Sequence, residues 1–198
     1  MSRTRMAWLL LVVLAAATAL AYGLKDRPEA TQAAPDLAPL IERASFEQCV
    51  GPVALQGQGL PDVRLPCLDG SGVRSLVSSA PIEQVPTIVN VYGSWCRPCA
   101  EEMPLLRQLH QRAGSRLQLL GIDTEDEPRL GLLFAIDFGQ RWPALRDDDG
   151  LVSRALGGGA PKTVFIDASG KVVHVERAGY RDLAALRADV LRYLKLAV

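Results

Sequence analysis

Trp95-Cys96-Arg97-Pro98-Cys99 sets two thiols three residues apart, close enough to close into a disulfide. The motif follows a β-rich run, Thr87–Tyr92, and leads into a helical pattern. At such a strand-to-helix junction C-x-x-C reads as a redox motif. Cys96 falls at the helix N-terminus, where unpaired N–H groups and the helix dipole stabilise a thiolate. Arg97 adds a cation beside it. Cys99 lies one turn further in, shielded by the helix. Cys96 is therefore the candidate attacking sulfur and Cys99 the resolving one, with exchange passing through a mixed disulfide on Cys96. The competing readings are a structural disulfide and half of a zinc site, whose two further ligands would have to be Cys49 and Cys67.

Those two cysteines are the only others in the chain, with 17 residues between them. They read as a structural disulfide; the alternative is a second redox pair relaying electrons to Cys96–Cys99. Four cysteines allow three connectivities, and spacing does not choose among them. Glu102 stands three residues past Cys99 and six past Cys96, so helical spacing brings it near both. It is either a carboxylate that tunes the dithiol or an ordinary acidic residue of a helix's first turns. His110 lies about 16 Å along the helix from Cys99, too far for proton transfer. Both histidines are expected at the surface, and no metal site is expected. Trp95 is expected to cover one side of the dithiol, and Trp142 to lie in the core.

The elements that must position this motif follow from periodicity. Residues 87–92 are apolar on both faces apart from Asn90, which predicts a central strand buried on both sides. A helix then runs to about residue 112 and stops at Gly114. Residues 117–122 form a second buried strand. Asp126 or Glu127 caps the next helix with Pro128 at its first position, burying Leu130, Leu133, Phe134 and Phe138 before Gly139. Segments 163–167 and 171–176 read as a hairpin turning at Ser169-Gly170, and 65–73 as a smaller one around Asp69-Gly70-Ser71-Gly72. Asp182 caps a last helix with Leu183, Leu186, Val190 and Leu194 on one face. Strands alternating with helices, then a hairpin and a helix, give an α/β sandwich with a mixed sheet.

The chain has 198 residues, 48% of them hydrophobic, with 22 basic and 22 acidic side chains. That excludes a disordered chain and a multi-span membrane protein, and the absence of a basic excess excludes a nucleic-acid binder. Arg3 and Arg5 precede an uncharged run from Met6 to Leu24, which would span roughly 28 Å as a helix, about one bilayer core. Residues 1–24 are expected to be a membrane anchor, the alternative being a signal peptide cleaved near Ala17–Ala21. Residues 25–48, rich in Ala and Pro, read as a tether, and 49–198 as the folded domain. Either fate of the N-terminus puts the domain outside the cytoplasm, where disulfides persist.

Trp95-Cys96-Arg97-Pro98-Cys99-Ala100-Glu101-Glu102-Met103-Pro104 resembles the membrane-anchored thioredoxin-like oxidoreductases of the TlpA/ResA/DsbE class. Leu60-Pro61-Asp62-Val63 and the following hairpin, Trp142-Pro143 with Asp149-Gly150, and Gly157-Gly158-Gly159-Ala160-Pro161 with its strand extend the likeness from about Gly59 to the C-terminus. The resemblance implies a thioredoxin-like three-layer sandwich, a central mixed sheet flanked by helices with an N-terminal β-hairpin extension. It implies a cis Ala160–Pro161 bond beside the dithiol, with Ala160, Pro161 and Trp95 contacting substrate. Without it Pro161 would be an ordinary trans proline at a strand start. Small thioredoxins carry a buried Asp six residues before the first cysteine; here that position is Asn90, which cannot titrate, and the class assigns a tuning role to a Glu at the place of Glu102. Cys49 and Cys67 depart from the class pattern.

The function expected is reduction of extracytoplasmic protein disulfides, with apocytochrome thiols kept reduced for haem attachment as one such task. The same fold running as an oxidase is the alternative. A peroxidase of peroxiredoxin type would want Pro and Thr seven and three residues before the reactive cysteine, where Val89 and Gly93 stand. A binding module without turnover is disfavoured by the exposed helix-start position expected for Cys96. No phosphate-binding loop is present and no cofactor is expected. Electrons would come from a protein partner, by resemblance a membrane dithiol carrier of the CcdA/DsbD type.

Overall fold

A computed structural model describes residues 36–81 and 84–198. The anchor or signal expected at 1–24, and the tether up to residue 35, lie outside the described residues. Among the described residues no helix is long and apolar enough to cross a membrane.

A five-stranded sheet organises the chain. Its strands are β5 (Thr87–Tyr92), β6 (Gln118–Thr124), β7 (Ala144–Asp147), β8 (Lys162–Ile166) and β9 (Val172–Glu176), in the order β7-β6-β5-β8-β9. β5, β6 and β7 run parallel, and β8 and β9 are antiparallel additions. The central strand β5 is buried at every residue, as its two-sided apolar pattern requires. Ile88 and Tyr92 point to one face with Leu119 and Phe165. Val89 and Val91 point to the other with Leu120, Ile122, Val164 and Ile166.

The first face is covered by α2 (Arg97–Ala113), α3 (Pro128–Phe138) and α5 (Leu183–Leu194). The second is covered by α4 (Leu151–Ala155) and two short strand pairs. These are β1 (Ala54–Leu55) with β4 (Val77–Ser78), parallel, and β2 (Arg64–Pro66) with β3 (Val73–Ser75), antiparallel. The result is the expected three-layer thioredoxin-like sandwich with its hairpin extension.

Several expectations are corrected. Residues 38–44 form α1 (Ala38–Ala44), not tether. Leu37, Leu40 and Ile41 pack on the core, Ala44 is buried, and Arg141 donates to the Ala44 carbonyl at 3.0 Å. The compact unit accordingly begins at Leu37. Helix α3 keeps Pro128 at its first turn and Gly139 as its left-handed cap, but its buried face is Gly131, Leu132, Phe134 and Ala135, with Leu130 exposed. The helix rotates because Gly131 has to face the sheet, where a Cβ would fall 1.9 Å from Asp123 Oδ2. Neither histidine is free at the surface. His110 meets Glu47 at 2.8 Å under the segment that follows α1, and His174 stacks on Tyr193 with ring centroids 4.0 Å apart. Trp142 lies in the core as expected.

Cys49 and Cys67 are joined by a disulfide, and both are buried. The bond ties the segment after α1 to the small hairpin. Cys67 itself bridges to Leu145 of β7, so the link reaches the edge of the main sheet. Closing a loop of this length stabilises by about 3 kcal/mol in the chain-entropy account. The Cys49→Ser/Cys67→Ser double variant should lose that amount in equilibrium urea unfolding. A variant as stable as wild type would show that packing of the segment alone suffices.

Candidate active site

The parallel strand β5 ends at Tyr92, and Gly93-Ser94-Trp95 carries the chain over into α2. Gly93 is required there: a Cβ would lie 2.5 Å from Trp95 Nε1. The indole stays half exposed and donates to the Thr124 carbonyl at 3.2 Å. Cys96 is the N-cap of α2, with an extended backbone, and its Sγ accepts the Cys99 N–H at 3.2 Å. That is the position a capping oxygen usually takes, so a thiolate on Cys96 would be stabilised by an orphan helix donor and by the dipole. Pro98 follows in the first turn, where its missing N–H costs nothing.

Cys96 and Cys99 are bonded to each other, with Cα atoms 5.3 Å apart. Both are nearly covered, at 3% and 1% exposure. The exposed position expected for Cys96 is thus corrected: in the oxidised pair the sulfurs sit in the core cluster with Met103 and Tyr180, and Ala160 packs on the same cluster. The Ala160–Pro161 bond is cis, as the resemblance implied. Gly179 lies so close to Pro161 that a Cβ there would meet Pro161 Cγ at 2.7 Å. Arg97 does not reach inward. It is exposed, 3.7 Å from Glu101, which also faces Arg181 at 3.9 Å.

Glu102 is fully buried, not a solvated first-turn carboxylate. Three donors from two strands and a turn meet it. Asn90 Nδ2 on β5 donates to Oε2 at 3.0 Å, Thr163 Oγ1 on β8 to Oε1 at 2.7 Å, and the Tyr180 backbone N–H to Oε1 at 3.1 Å. Burial pushes its protonation upward from the usual carboxylate range, and these bonds oppose that in part. Asn90 Oδ1 is buried without a partner among the described residues. An amide rotation would present that oxygen to a protonated Glu102, so the Asn90–Glu102 contact can be made with the carboxyl in either state. Asn90 therefore supplies what an Asp could not, a neighbour that adds no charge to the buried pocket.

The arrangement thus gathers Cys96, Cys99, Glu102, Ala160 and Pro161 around the C-terminal end of β5, with Trp95 at its rim. Cys49 and Cys67 lie apart, in the second core cluster. Thr163, Gly179 and Tyr180 are additions that the sequence did not single out. Tyr180 contributes a backbone N–H, which any residue carries, so no side-chain signal marked it. A dithiol so placed can exchange disulfides through one sulfur, with a buried carboxyl one turn away to hold or release a proton.

Because burial raises Glu102 above its ordinary value of 4.5, the stability it contributes is complete below that value and is lost as pH rises through the raised one. Glu102→Gln removes this dependence. Urea unfolding of the oxidised protein should therefore favour the variant progressively over wild type as pH rises above 4.5. A pH-independent difference would show that the carboxyl of Glu102 ionises in the folded protein as readily as in the unfolded chain.

A profile of the AhpC/TSA family matches residues 56–175. Among curated proteins, the thiol:disulfide interchange protein DsbE of Pseudomonas fluorescens biotype C is 31% identical over 123 residues, covering 61% of this chain and 66% of the relative. Thiol-disulfide oxidoreductase ResA of Geobacillus thermodenitrificans is 37% identical over 89 residues, 42% of this chain and 49% of the relative. The chain spans between half and two thirds of the length of these relatives. In fold, it is similar to a secreted disulfide oxidoreductase of Mycobacterium tuberculosis homologous to E. coli DsbE, with TM-score 0.56 and 19% identity over 66% of this chain and 96% of that one. The family match takes in more than half of the chain and contains the whole dithiol region, and the chain belongs to the AhpC/TSA family.

Proposed function

We propose that this protein is a thiol-disulfide oxidoreductase of the DsbE/ResA type that reduces protein disulfides outside the cytoplasm. The observation that carries the reading is the Cys96–Cys99 disulfide at the N-cap of α2, with a backbone donor on Cys96 Sγ. Cys96 is the nucleophile and Cys99 resolves the mixed disulfide. Ala160 and Pro161 offer backbone to an extended substrate, and Trp95 forms the rim. The apolar run 6–24 and two disulfides support an extracytoplasmic domain held at a membrane. The resemblance to the TlpA/ResA/DsbE class supports a role in keeping apocytochrome thiols reduced, and a CcdA/DsbD-type membrane dithiol would supply electrons. Cys49–Cys67, buried in a separate cluster, serves as a structural bond.

The reducing direction is favoured wherever Glu102 is ionised: a carboxylate one turn from Cys99 opposes a stable thiolate, and destabilising the reduced form lowers the potential. The measured potential of Cys96–Cys99 should fall nearer thioredoxin's roughly −270 mV than DsbA's roughly −120 mV. Cys99→Ser should trap a mixed disulfide with a reducible protein substrate, and Cys96→Ser should trap none. Retained reductase activity in Cys96→Ser would overturn the reading; a potential near that of DsbA would turn it into an oxidase.

A further inference from the structure

On the far side of the Gly93–Cys96 turn from Glu102 stands a second pair of acids. Asp126, in the loop between β6 and α3, accepts the Ser94 backbone N–H at 2.5 Å through Oδ2. It accepts the Ser94 hydroxyl at 2.9 Å and the Glu127 N–H at 2.8 Å through Oδ1. With the indole bond from Trp95 to the Thr124 carbonyl, it ties both residues before Cys96 to one loop. Asp123, two residues before that loop's end at the strand and paired in register with Tyr92, is 2% exposed. Its Oδ1 is buried with no hydrogen-bond partner among the described residues, and Gly131 of α3 is the gap that admits its Oδ2.

A carboxylate in that position has no cation of its own. The groups that face it are Asp126, Asp148, Arg146 and, beside it on the neighbouring strand, the buried Tyr92. Arg146 is already committed to Asp148, at 3.1 and 2.6 Å. Burying an unpaired carboxylate is costly enough that such a group keeps its proton. Two neighbouring carboxyls sharing one proton is the stable arrangement, because both cannot ionise at close range.

We propose that Asp126 is a positioning residue for the dithiol, and that Asp123 is its proton-bearing partner, the two clamping the Ser94–Trp95 turn from which Cys96 projects. Protonated Asp123 donates to Asp126 and leaves the oxygens of Asp126 aimed at Ser94. When that proton is lost, two like charges stand side by side and Asp126 swings to water, releasing Ser94. The clamp is present at neutral pH and fails as pH rises. Burial, reinforced by Asp126, pushes Asp123 up to about 8, which places the release there. The proposal rests on the thiol-exchange reading only for the purpose of the clamp, not for its existence.

The test uses the oxidised full-length protein, in which no thiol titrates. The Ser94 amide and Trp95 indole N–H resonances, followed from pH 5 to pH 10, should shift together with a midpoint near 8. In Asp123→Asn, which mimics the protonated acid, both should stay flat. A flat wild type, or the same midpoint in Asp123→Asn, would overturn the shared-proton clamp. Kinetics then test positioning. Asp126→Ala should slow disulfide exchange roughly 10- to 100-fold, the scale of a misplaced reacting group, and Asp126→Asn should recover part of it. The exchange rate of Asp123→Asn should lack the decline that wild type shows above pH 8. Wild-type exchange kinetics in a folded Asp126→Ala would overturn the positioning role. Absence of exchange in every variant and in wild type would count against the proposed function, while the resonance titration would still decide the clamp.

Discussion

Everything about the site depends on one carboxyl group placed where no water reaches. Glu102 sits on the helix that carries both cysteines, yet its partners belong to β5, to β8 and to the turn before α5. A buried carboxyl must find donors, and each donor it finds anchors a different part of the chain. β8 is the strand that follows the cis Ala160–Pro161 bond, and the Gly179–Tyr180 turn lies against Pro161. One side chain thus holds the dithiol helix in register with the backbone that would meet a substrate. Replacing it by an apolar residue would leave Asn90, Thr163 and the Tyr180 N–H unsatisfied together, which is costlier than losing any single bond.

The cysteines are flanked asymmetrically as a result. Glu102 and its donors close the site from the β8 side, and Asp126 with its bonds to Ser94 closes it from the β6 side. Both acids work by accepting hydrogen bonds, one from inside the sheet layer and one from the loop at its edge. Apolar packing of Met103, Tyr180 and Ala160 supplies the remaining wall. The charged side chains at the surface, Arg97, Glu101 and Arg181, neutralise one another along the rim. Exposed pairs of this kind add little stability, so the site's order comes from its buried bonds.

The dithiol and its strand-helix setting were legible because each rests on a strong local signal. C-x-x-C has a fixed spacing, β5 is apolar on both faces, and Gly114 and Gly139 mark helix ends. The cis bond at Pro161 came through resemblance alone, since nothing in the local sequence separates cis from trans. Helix α1 was missed although Leu37, Leu40, Ile41 and Ala44 recur at helical spacing, because seven residues rich in Ala and Pro read as tether. The face of α3 was misjudged because large apolar residues outweighed Gly131, whose value is the space it leaves. β7 carries Arg146 between buried neighbours, and short strands with a charged residue give little periodicity. The contacts of Glu102 depend on residues 12, 61 and 78 positions away, a separation no local pattern reports.

The near-complete coverage of Cys96 carries a stereochemical consequence. A thiolate breaks a disulfide by approaching one sulfur along the line of the bond, with the other sulfur departing on the opposite side. Cys99 lies inward, at 1% exposure, so the departing side is walled off by the helix and the core. Cys96, at 3% exposure, is the outer of the two sulfurs and follows directly on the half-exposed Trp95. Attack on Cys96 sends the electron pair to Cys99, so the leaving thiolate is released inside the helix layer and away from water.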